Sequence, residues 1–138
     1  MTDTRTAYAA LLLRIALGTM FIAHALLKYF VFTLPGTEQF FASLGLPGFL
    51  VYVTFGAELV GGVLLIAGIR TRVVALALVP VLLGATWVHA GNGWLFTSPN
   101  GGWEYPAFWT LALVVQALLG NGAFAFTRTE SSRSLQRA

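Results

Sequence analysis

The 138-residue chain is 57% hydrophobic and only 9% charged, and its mean hydropathy is +0.79. Charged residues make up about a quarter of ordinary soluble domains, so this composition excludes that class and predicts a single integral membrane domain. The chain has no cysteine, which excludes a disulfide, a thiolate metal site and a dithiol redox centre. The net charge of +3 comes without a basic run or a nucleic-acid motif, so we expect no nucleic-acid partner.

The first predicted helix, residues 8–32, is long enough to cross the hydrocarbon core of a bilayer. It carries Arg14, His24 and Lys28, which at 100° per residue fall within an arc of about 80°. Because a charge that faces lipid is costly, this polar stripe should face protein or a water-filled cavity. The segment Ala23-His24-Ala25 imitates a signal-peptide cleavage site, but Arg14 interrupts the apolar run before it, so we expect the helix to be retained.

A short helix is predicted between the first two membrane helices. Pro35 and Gly36 should end the first helix, because proline cannot continue one. Residues 37–45 then place apolar side chains on one face, with Thr37 as the N-cap and Gly45 as the terminator. We expect this short interfacial helix to lie on the membrane surface.

The second predicted membrane helix, residues 48–69, contains a single acid, Glu58. At 1.5 Å per residue its carboxyl lies about 15 Å from the helix start, close to the bilayer centre. The side chain is too short to reach the interface, so it must be protonated, hydrogen-bonded or paired. Glycines nearby would let a neighbouring helix approach closely, namely Gly56, Gly61 and Gly62.

Two further helices are predicted over residues 73–90 and 105–126. The last of them has one clearly polar mid-span side chain, Gln116. The connection between them, residues 91–104, contains tryptophans that suit a membrane interface. The end of the chain, residues 127–138, is polar and is predicted to be disordered.

The distribution of arginine predicts the orientation. Arginines outside the membrane lie in the N-terminus, the second connection and the C-terminal tail, whereas the first and third connections carry no base. Because cytoplasmic segments are enriched in basic residues, both termini should be cytoplasmic. The sequence therefore predicts an all-α polytopic membrane four-helix bundle, N-in and C-in, with a cytoplasmic N-terminus over 1–7, the transmembrane domain over 8–126 and a cytoplasmic tail over 127–138.

Each polar residue also has a purely structural interpretation. Arg14 can anchor near an interface or bind carbonyl groups, and Lys28 can reach the outer surface. His24 can hydrogen-bond between helices, His89 can cap a helix or meet solvent, and Glu104 suits a helix start. Two histidines and an acid could together hold a metal or haem, but they match no short ligand motif, so we predict no metal site.

Several motifs, taken in chain order, resemble the DoxX family. They are Arg14 with Gly18, Phe21, His24 and Lys28; Leu44-Gly45-Leu46-Pro47; Glu58; Gly68-Ile69-Arg70-Thr71-Arg72; and Asn92-Gly93 followed by Gly101-Gly102-Trp103-Glu104-Tyr105-Pro106. The resemblance extends over residues 8–126. It implies a four-helix protein of the bacterial inner membrane. Some relatives act in quinone-dependent oxidation, such as thiosulfate:quinone oxidoreductase subunits, or in quinone and thiol stress responses.

The resemblance and the polar residues together predict a site in the outer half of the bundle. We expect Glu58 and His24 to be catalytic groups that transfer protons, and Lys28, His89, Asn92 and Glu104 to bind a quinone, while Arg14 and Gln116 are structural polar residues. The chain has no redox group of its own, so a quinone-interacting oxidoreductase subunit would need a partner subunit that carries one. Membrane lipids and further copies of the chain are the other expected partners. The alternative is a non-enzymatic scaffold, or a pathway for protons or a small solute.

Overall fold

The computed structural model describes residues 3–127, and every regular element in this range is helical, as predicted. Residues 128–138 of the predicted tail, and residues 1 and 2, lie outside the described range. A π-helical turn, Leu27–Val31, continues the first helix, and a 3-10 turn, Ala90–Asn92, continues the fourth. The five α-helices are α1 (Thr4–Leu26), α2 (Leu34–Ser43), α3 (Leu50–Ala67), α4 (Thr71–His89) and α5 (Glu104–Leu119).

Three helical segments are long and apolar enough to cross a membrane, namely Thr4–Val31, Leu50–Ala67 and Thr71–Asn92. Helix α5 is also apolar but has 16 residues. Large apolar side chains cover much of the outside of the helices, including Leu12, Val60 and Leu118, which are all more than half exposed. A surface of this kind is disfavoured in water and suits lipid. The chain therefore has the architecture of a membrane protein.

The long helices and α5 share one apolar core. Helix α1 packs against α3 and α5, and α4 packs against the other sides of the same two helices. The core is built from residues of all four, among them Leu17, Phe21, Leu65, Leu82 and Leu113. Each pair in contact runs antiparallel, so the start of α1 lies at the same end as the end of α3 and the end of α5.

Two glycines allow α1 and α3 to approach closely. A Cβ atom added to Gly18 would lie 2.6 Å from the carbonyl oxygen of Gly62, and one added to Gly62 would lie 2.8 Å from the carbonyl oxygen of Gly18. A Cβ atom added to Gly61 would lie 2.9 Å from a side-chain carbon of Leu78 in α4, whereas one added to Gly56 would meet nothing within 4 Å. The predicted close approach therefore holds at Gly61 and Gly62 and is wrong for Gly56.

The start of α2 differs from the prediction. Pro35 and Gly36 lie inside its first turn, where a proline is tolerated because the first backbone N–H groups have no partner within the helix. The N-cap is Thr33, whose hydroxyl oxygen accepts a hydrogen bond from the Gly36 N–H at 3.1 Å. Thr37 was therefore predicted wrongly as the cap. It is buried within the helix, and its hydroxyl donates to the Thr33 carbonyl.

The start of α1 and the end of α5 also lie earlier in the chain than predicted. Helix α1 begins at Thr4 rather than near Tyr8, and α5 ends at Leu119 rather than near Phe126. Helix α5 stops because Gly120 and Gly122 both adopt positive φ, a backbone conformation outside the helical region. The chain then folds back, and the Ala123 N–H donates to the Ala7 carbonyl at 3.0 Å. Residues 120–127 thereby join the first turns of α1 to the end of α3.

Candidate functional site

Arg14 lies at the end of the bundle where α1 begins and α3 ends. Its side chain is 1% exposed, and its three nitrogens all donate to backbone carbonyl groups. The Nε atom donates to Asn121 at 2.9 Å, Nη1 donates to Ile66 at 2.5 Å, and Nη2 donates to Ala123 at 2.5 Å. The last carbonyls of a helix have no intrahelical partner, which is why the end of α3 can accept this cation. The contacts match the carbonyl-binding interpretation of Arg14.

Two amide side chains complete this group. Gln116 is fully buried and donates from Nε2 to the carbonyls of Ala10 at 3.2 Å and Gly120 at 3.0 Å. Asn121 accepts from the Thr71 N–H at 3.0 Å and donates to the Thr127 carbonyl. We call Arg14, Gln116 and Asn121 the Arg14 cluster. Its bonds run mainly to backbone groups, so they fix where helices begin and end.

An ion pair between Lys28 and Glu58 forms the second polar group, and Lys28 lies on the same side of the first helical segment as Arg14. Glu58 is the ninth residue of the 18-residue α3, and Lys28 donates from Nζ to both of its carboxylate oxygens, at 3.0 and 2.8 Å. The side chains are 5% exposed for Glu58 and 17% for Lys28. Lys28 lies in the π-helical turn, whose hydrogen bond runs from the Phe32 N–H to the Leu27 carbonyl at 3.0 Å. Such turns are rare and frequently occur at functional sites.

His24 and Trp109 lie beside this ion pair. The imidazole of His24 packs on the indole of Trp109 with ring centres 4.7 Å apart, and Phe21 packs on the same indole at 4.6 Å. His24 precedes Lys28 by four residues, so the two side chains lie on the same face of the helical segment. We call His24, Lys28, Glu58 and Trp109 the Glu58 cluster. It combines a carboxylate, an ammonium, an imidazole and an aromatic wall between three helices.

His89 does not join the Glu58 cluster. Its Nδ1 atom lies 2.8 Å from the Ala85 carbonyl oxygen, and its Nε2 atom lies 3.0 Å from the hydroxyl of Tyr105. A carbonyl oxygen can only accept, so Nδ1 carries the proton and the Tyr105 hydroxyl donates to Nε2 of the neutral ring. The histidine at the end of α4 therefore has a phenol at the start of α5 as its partner.

Asn92 and Glu104 organise the connection between α4 and α5. Asn92 donates from Nδ2 to the Gly101 carbonyl at 2.9 Å, and Glu104 accepts from the Phe96 N–H at 3.0 Å. The indoles of Trp94 and Trp103 meet edge to face with centres 4.4 Å apart. Both polar side chains thus hold the connecting segment in a folded shape.

The structure divides the predicted site residues into two groups. Lys28 and Glu58 form an ion pair, and His24 lies one helical turn before Lys28, whereas His89, Asn92 and Glu104 lie in a separate hydrogen-bonded region around the α4–α5 connection. Within residues 3–127, no three acidic or histidine side chains are grouped so as to hold a metal ion.

Sequence reasoning missed two aromatic residues, Trp109 and Tyr105. A signal for Trp109 was present, because it precedes the polar Gln116 by seven residues and so lies on the same face of the helix. Tyr105 offers no comparable signal, because nothing in its sequence position indicates which side chain its hydroxyl meets.

The sequence model of the DoxX family matches residues 9–91, which is more than half of the chain. This range includes His24, Lys28 and Glu58. The Bacillus subtilis (strain 168) protein named "Putative oxidoreductase CatD" is 45% identical over 75 residues, and the chain spans about half the length of this curated relative, with 54% of each covered. No solved structure matches the chain. The family match confirms the predicted resemblance over residues 9–91, and the chain belongs to the DoxX family.

Proposed function

We propose that this DoxX protein is a quinone-interacting subunit of an oxidoreductase in the bacterial inner membrane. The observation that carries the proposal is the Lys28–Glu58 ion pair halfway along an apolar helix, beside the rings of His24 and Trp109. Ionisable side chains inside a membrane are costly and commonly mark a pathway for substrates or protons. The name of the Bacillus subtilis relative as an oxidoreductase supports the same class of function.

The proposal includes a topology with four membrane crossings, α1, α3, α4 and α5, and with α2 on the outer surface. At 1.5 Å per residue α5 is about 24 Å long, somewhat short of a hydrocarbon core of about 30 Å. The antiparallel packing brings the exposed Arg5, Arg70 and Arg72 to the same end of the bundle as Arg14. Basic residues at one end favour a cytoplasmic position for both chain ends and an outer position for His89 and Glu104.

The chemistry of the Glu58 cluster fits the headgroup of a quinone as substrate. An ammonium can donate to a quinone carbonyl, a carboxylate can carry a proton, and aromatic rings can hold the flat headgroup. Conversion of a quinone to its hydroquinone takes two electrons and two protons. In the reverse direction a hydroquinone gives up both, so its two electrons would pass to a partner subunit and its two protons to the Glu58 carboxylate and Nε2 of His24. His89, Asn92 and Glu104 would shape the approach from the outer side.

The first test replaces the carboxyl without changing its size. In Glu58→Gln the amide cannot transfer a proton, so we expect quinone-dependent turnover of the purified complex to fall by about 100-fold or more. The matched control is Glu38→Gln, because Glu38 is an acid outside the cluster whose contact is a 3.4 Å hydrogen bond from Tyr52. Normal turnover of a folded Glu58→Gln complex would remove Glu58 from the mechanism.

The second test asks what accompanies the protein. Gentle purification from the membrane, lipid extraction and mass spectrometry should recover a quinone and a partner subunit with a flavin, haem or iron–sulfur group. The exposed apolar faces of the helices are the surfaces available to membrane lipids, a partner subunit or further copies of the chain. Recovery of the isolated chain with phospholipid alone would contradict a role as a redox subunit.

One observation favours a second, non-enzymatic function. Lys28 binds both carboxylate oxygens of Glu58, so the pair is satisfied without a substrate and could pass protons or stabilise a scaffold. Proteoliposomes that contain the purified chain and no electron donor distinguish the two functions. Proton flux that is lost in Glu58→Gln would favour the proton pathway over the oxidoreductase.

A further inference from the structure

Both histidines of the chain hold the same hydrogen bond to their own helix. The Nδ1 atom of His24 lies 2.8 Å from the Met20 carbonyl oxygen, and that of His89 lies 2.8 Å from the Ala85 carbonyl oxygen, in each case four residues earlier. Because a carbonyl oxygen only accepts, each neutral ring carries its proton on Nδ1. The Nε2 atom of each ring is therefore a hydrogen-bond acceptor.

The two Nε2 acceptors differ in what they meet. For His89 the partner is a phenolic hydroxyl, that of Tyr105 at 3.0 Å. For His24, the bond to Met20 is the one hydrogen bond that the ring makes within residues 3–127. The protein thus contains, in His89, an example of how this histidine geometry binds a phenolic O–H, and a second copy at His24 without one.

The indole packed on His24 has the complementary property. Trp109 is 3% exposed, and its Nε1–H has no acceptor among the described residues. Buried polar groups are nearly always hydrogen-bonded, and a buried donor without a partner destabilises the structure. Two rings in contact therefore present one unused donor and one unused acceptor. A carbonyl oxygen can satisfy only the Trp109 N–H, whereas a hydroxyl can accept from Trp109 and donate to His24.

We infer that His24 and Trp109 bind a hydroxyl group of the ligand's ring, and that the site therefore selects the hydroquinone form over the quinone form. The inference rests on the proposed function and specifies it. Lys28 lies four residues after His24, in the π-helical turn that continues α1, and binds Glu58, so a ring bound at His24 also lies beside the ion pair. Trp109 supplies affinity for either form, and His24 supplies the discrimination between them.

The inference is tested with two soluble probes, trimethylhydroquinone kept reduced without oxygen and trimethylquinone. Their dissociation constants are measured by calorimetry on the full chain in lipid nanodiscs. In the wild type the hydroquinone should bind more tightly. His24→Phe keeps a ring against Trp109 and removes the acceptor, so hydroquinone binding should weaken about five- to tenfold, the value of one hydrogen bond, while quinone binding is unchanged.

A second variant separates affinity from discrimination. Trp109→Phe keeps the aromatic wall and removes the donor, so both probes should bind about five- to tenfold more weakly, at an unchanged ratio. The matched control is Trp87→Phe, because Trp87 is 60% exposed on α4, and it should alter neither constant. If Trp109→Phe does not fold, the ratio measured for His24→Phe still decides the question.

Three results would overturn the inference. The first is equal binding of the two probes to the wild type, and the second is an unchanged ratio of the two dissociation constants in a folded His24→Phe protein. The third is that neither His24→Phe nor Trp109→Phe alters either dissociation constant, which would mean that water occupies the position between His24 and Trp109. In each case quinone-dependent turnover that still requires Glu58 would leave the proposed function standing. If neither probe binds the wild-type protein, the proposed function fails together with the inference.

Discussion

The Arg14 cluster and the Glu58 cluster both form around side chains on one face of the first helical segment, and they differ in the groups that these side chains contact. The guanidinium of Arg14 donates to backbone carbonyls at the end of α3 and at residues 121 and 123. In the Glu58 cluster the ion pair and the ring contacts join one side chain to another. Both clusters would look alike on a helical wheel, as charges on an apolar helix.

The difference lies in whether the partners can be exchanged. Backbone carbonyls are fixed by the helices and the turn that carry them, so Arg14 has no position to which it can move without leaving several acceptors unpaired. The Lys28 ammonium, by contrast, sits on a flexible stem in a π-helical turn and is 17% exposed. The comparison predicts that the Arg14 cluster governs folding and that the Glu58 cluster governs chemistry.

The largest effect on stability is expected from Arg14→Leu. The substitution leaves the carbonyls of Ile66, Asn121 and Ala123 without this donor, so the free energy of unfolding should fall by about 4 kcal/mol or more. Denaturant titration of the purified protein in detergent measures this change. The control is Arg5→Leu, because Arg5 is exposed on the same helix. A fall below about 1 kcal/mol would show that the Arg14 cluster is not a folding centre.

A smaller and different effect is expected from the ion pair. Lys28→Met and Glu58→Met should each destabilise the protein by about 3 kcal/mol, because each leaves a largely buried charge without its partner. The double variant should recover most of the loss, since two apolar side chains replace the pair. Quinone-dependent turnover should stay lost in all three. If the double variant instead shows the sum of the two single losses, the two residues do not act as a pair.

The smallest effect on stability should come from the contact between Gly18 and Gly62, which sets the distance between α1 and α3. Gly62→Ala places a methyl group 2.8 Å from the Gly18 carbonyl oxygen, so α1 and α3 must separate, and we expect a loss of about 1 to 3 kcal/mol. Gly56→Ala on the same helix meets open space and should be neutral or stabilise by about 0.5 to 1 kcal/mol. Thermal unfolding compares the pair directly. Equal shifts would mean that the close approach of the backbones is unimportant.

The sequence alone was sufficient to predict the helical architecture and the need of Glu58 for a polar partner. Apolar runs give the long helices, and helical periodicity places His24 and Lys28 on one face, where Glu58 of α3 pairs with Lys28. The partners of Arg14 could not be predicted, because backbone carbonyls have no sequence signature. The end of α5 was placed too late, because apolar residues continue to Phe126 although two glycines with positive φ have already ended the helix.

The α4–α5 connection shows a second limit of sequence reasoning. The sequence predicts His89, Asn92 and Glu104 in one site with Glu58, because all of them are expected in the outer half of the bundle or at its outer end. Depth alone does not fix direction, and in the structure their hydrogen bonds run to Tyr105 and to the backbone of the connection. The direction of these side chains depends on the conformation of the connection, and the tryptophans and glycines of this segment do not predict that conformation.

The contacts of Arg14 also set an order of events during synthesis. Helix α1 leaves the ribosome first, but the carbonyls of Asn121 and Ala123 that Arg14 binds are made more than 100 residues later. Until then the guanidinium must remain hydrated or held by the insertion machinery, because burial of an unpaired cation in lipid is costly. The burial of Arg14 can therefore be completed only after residues 121–123 have joined the bundle, which makes the segment after the chain's last helix the final part of this site to form.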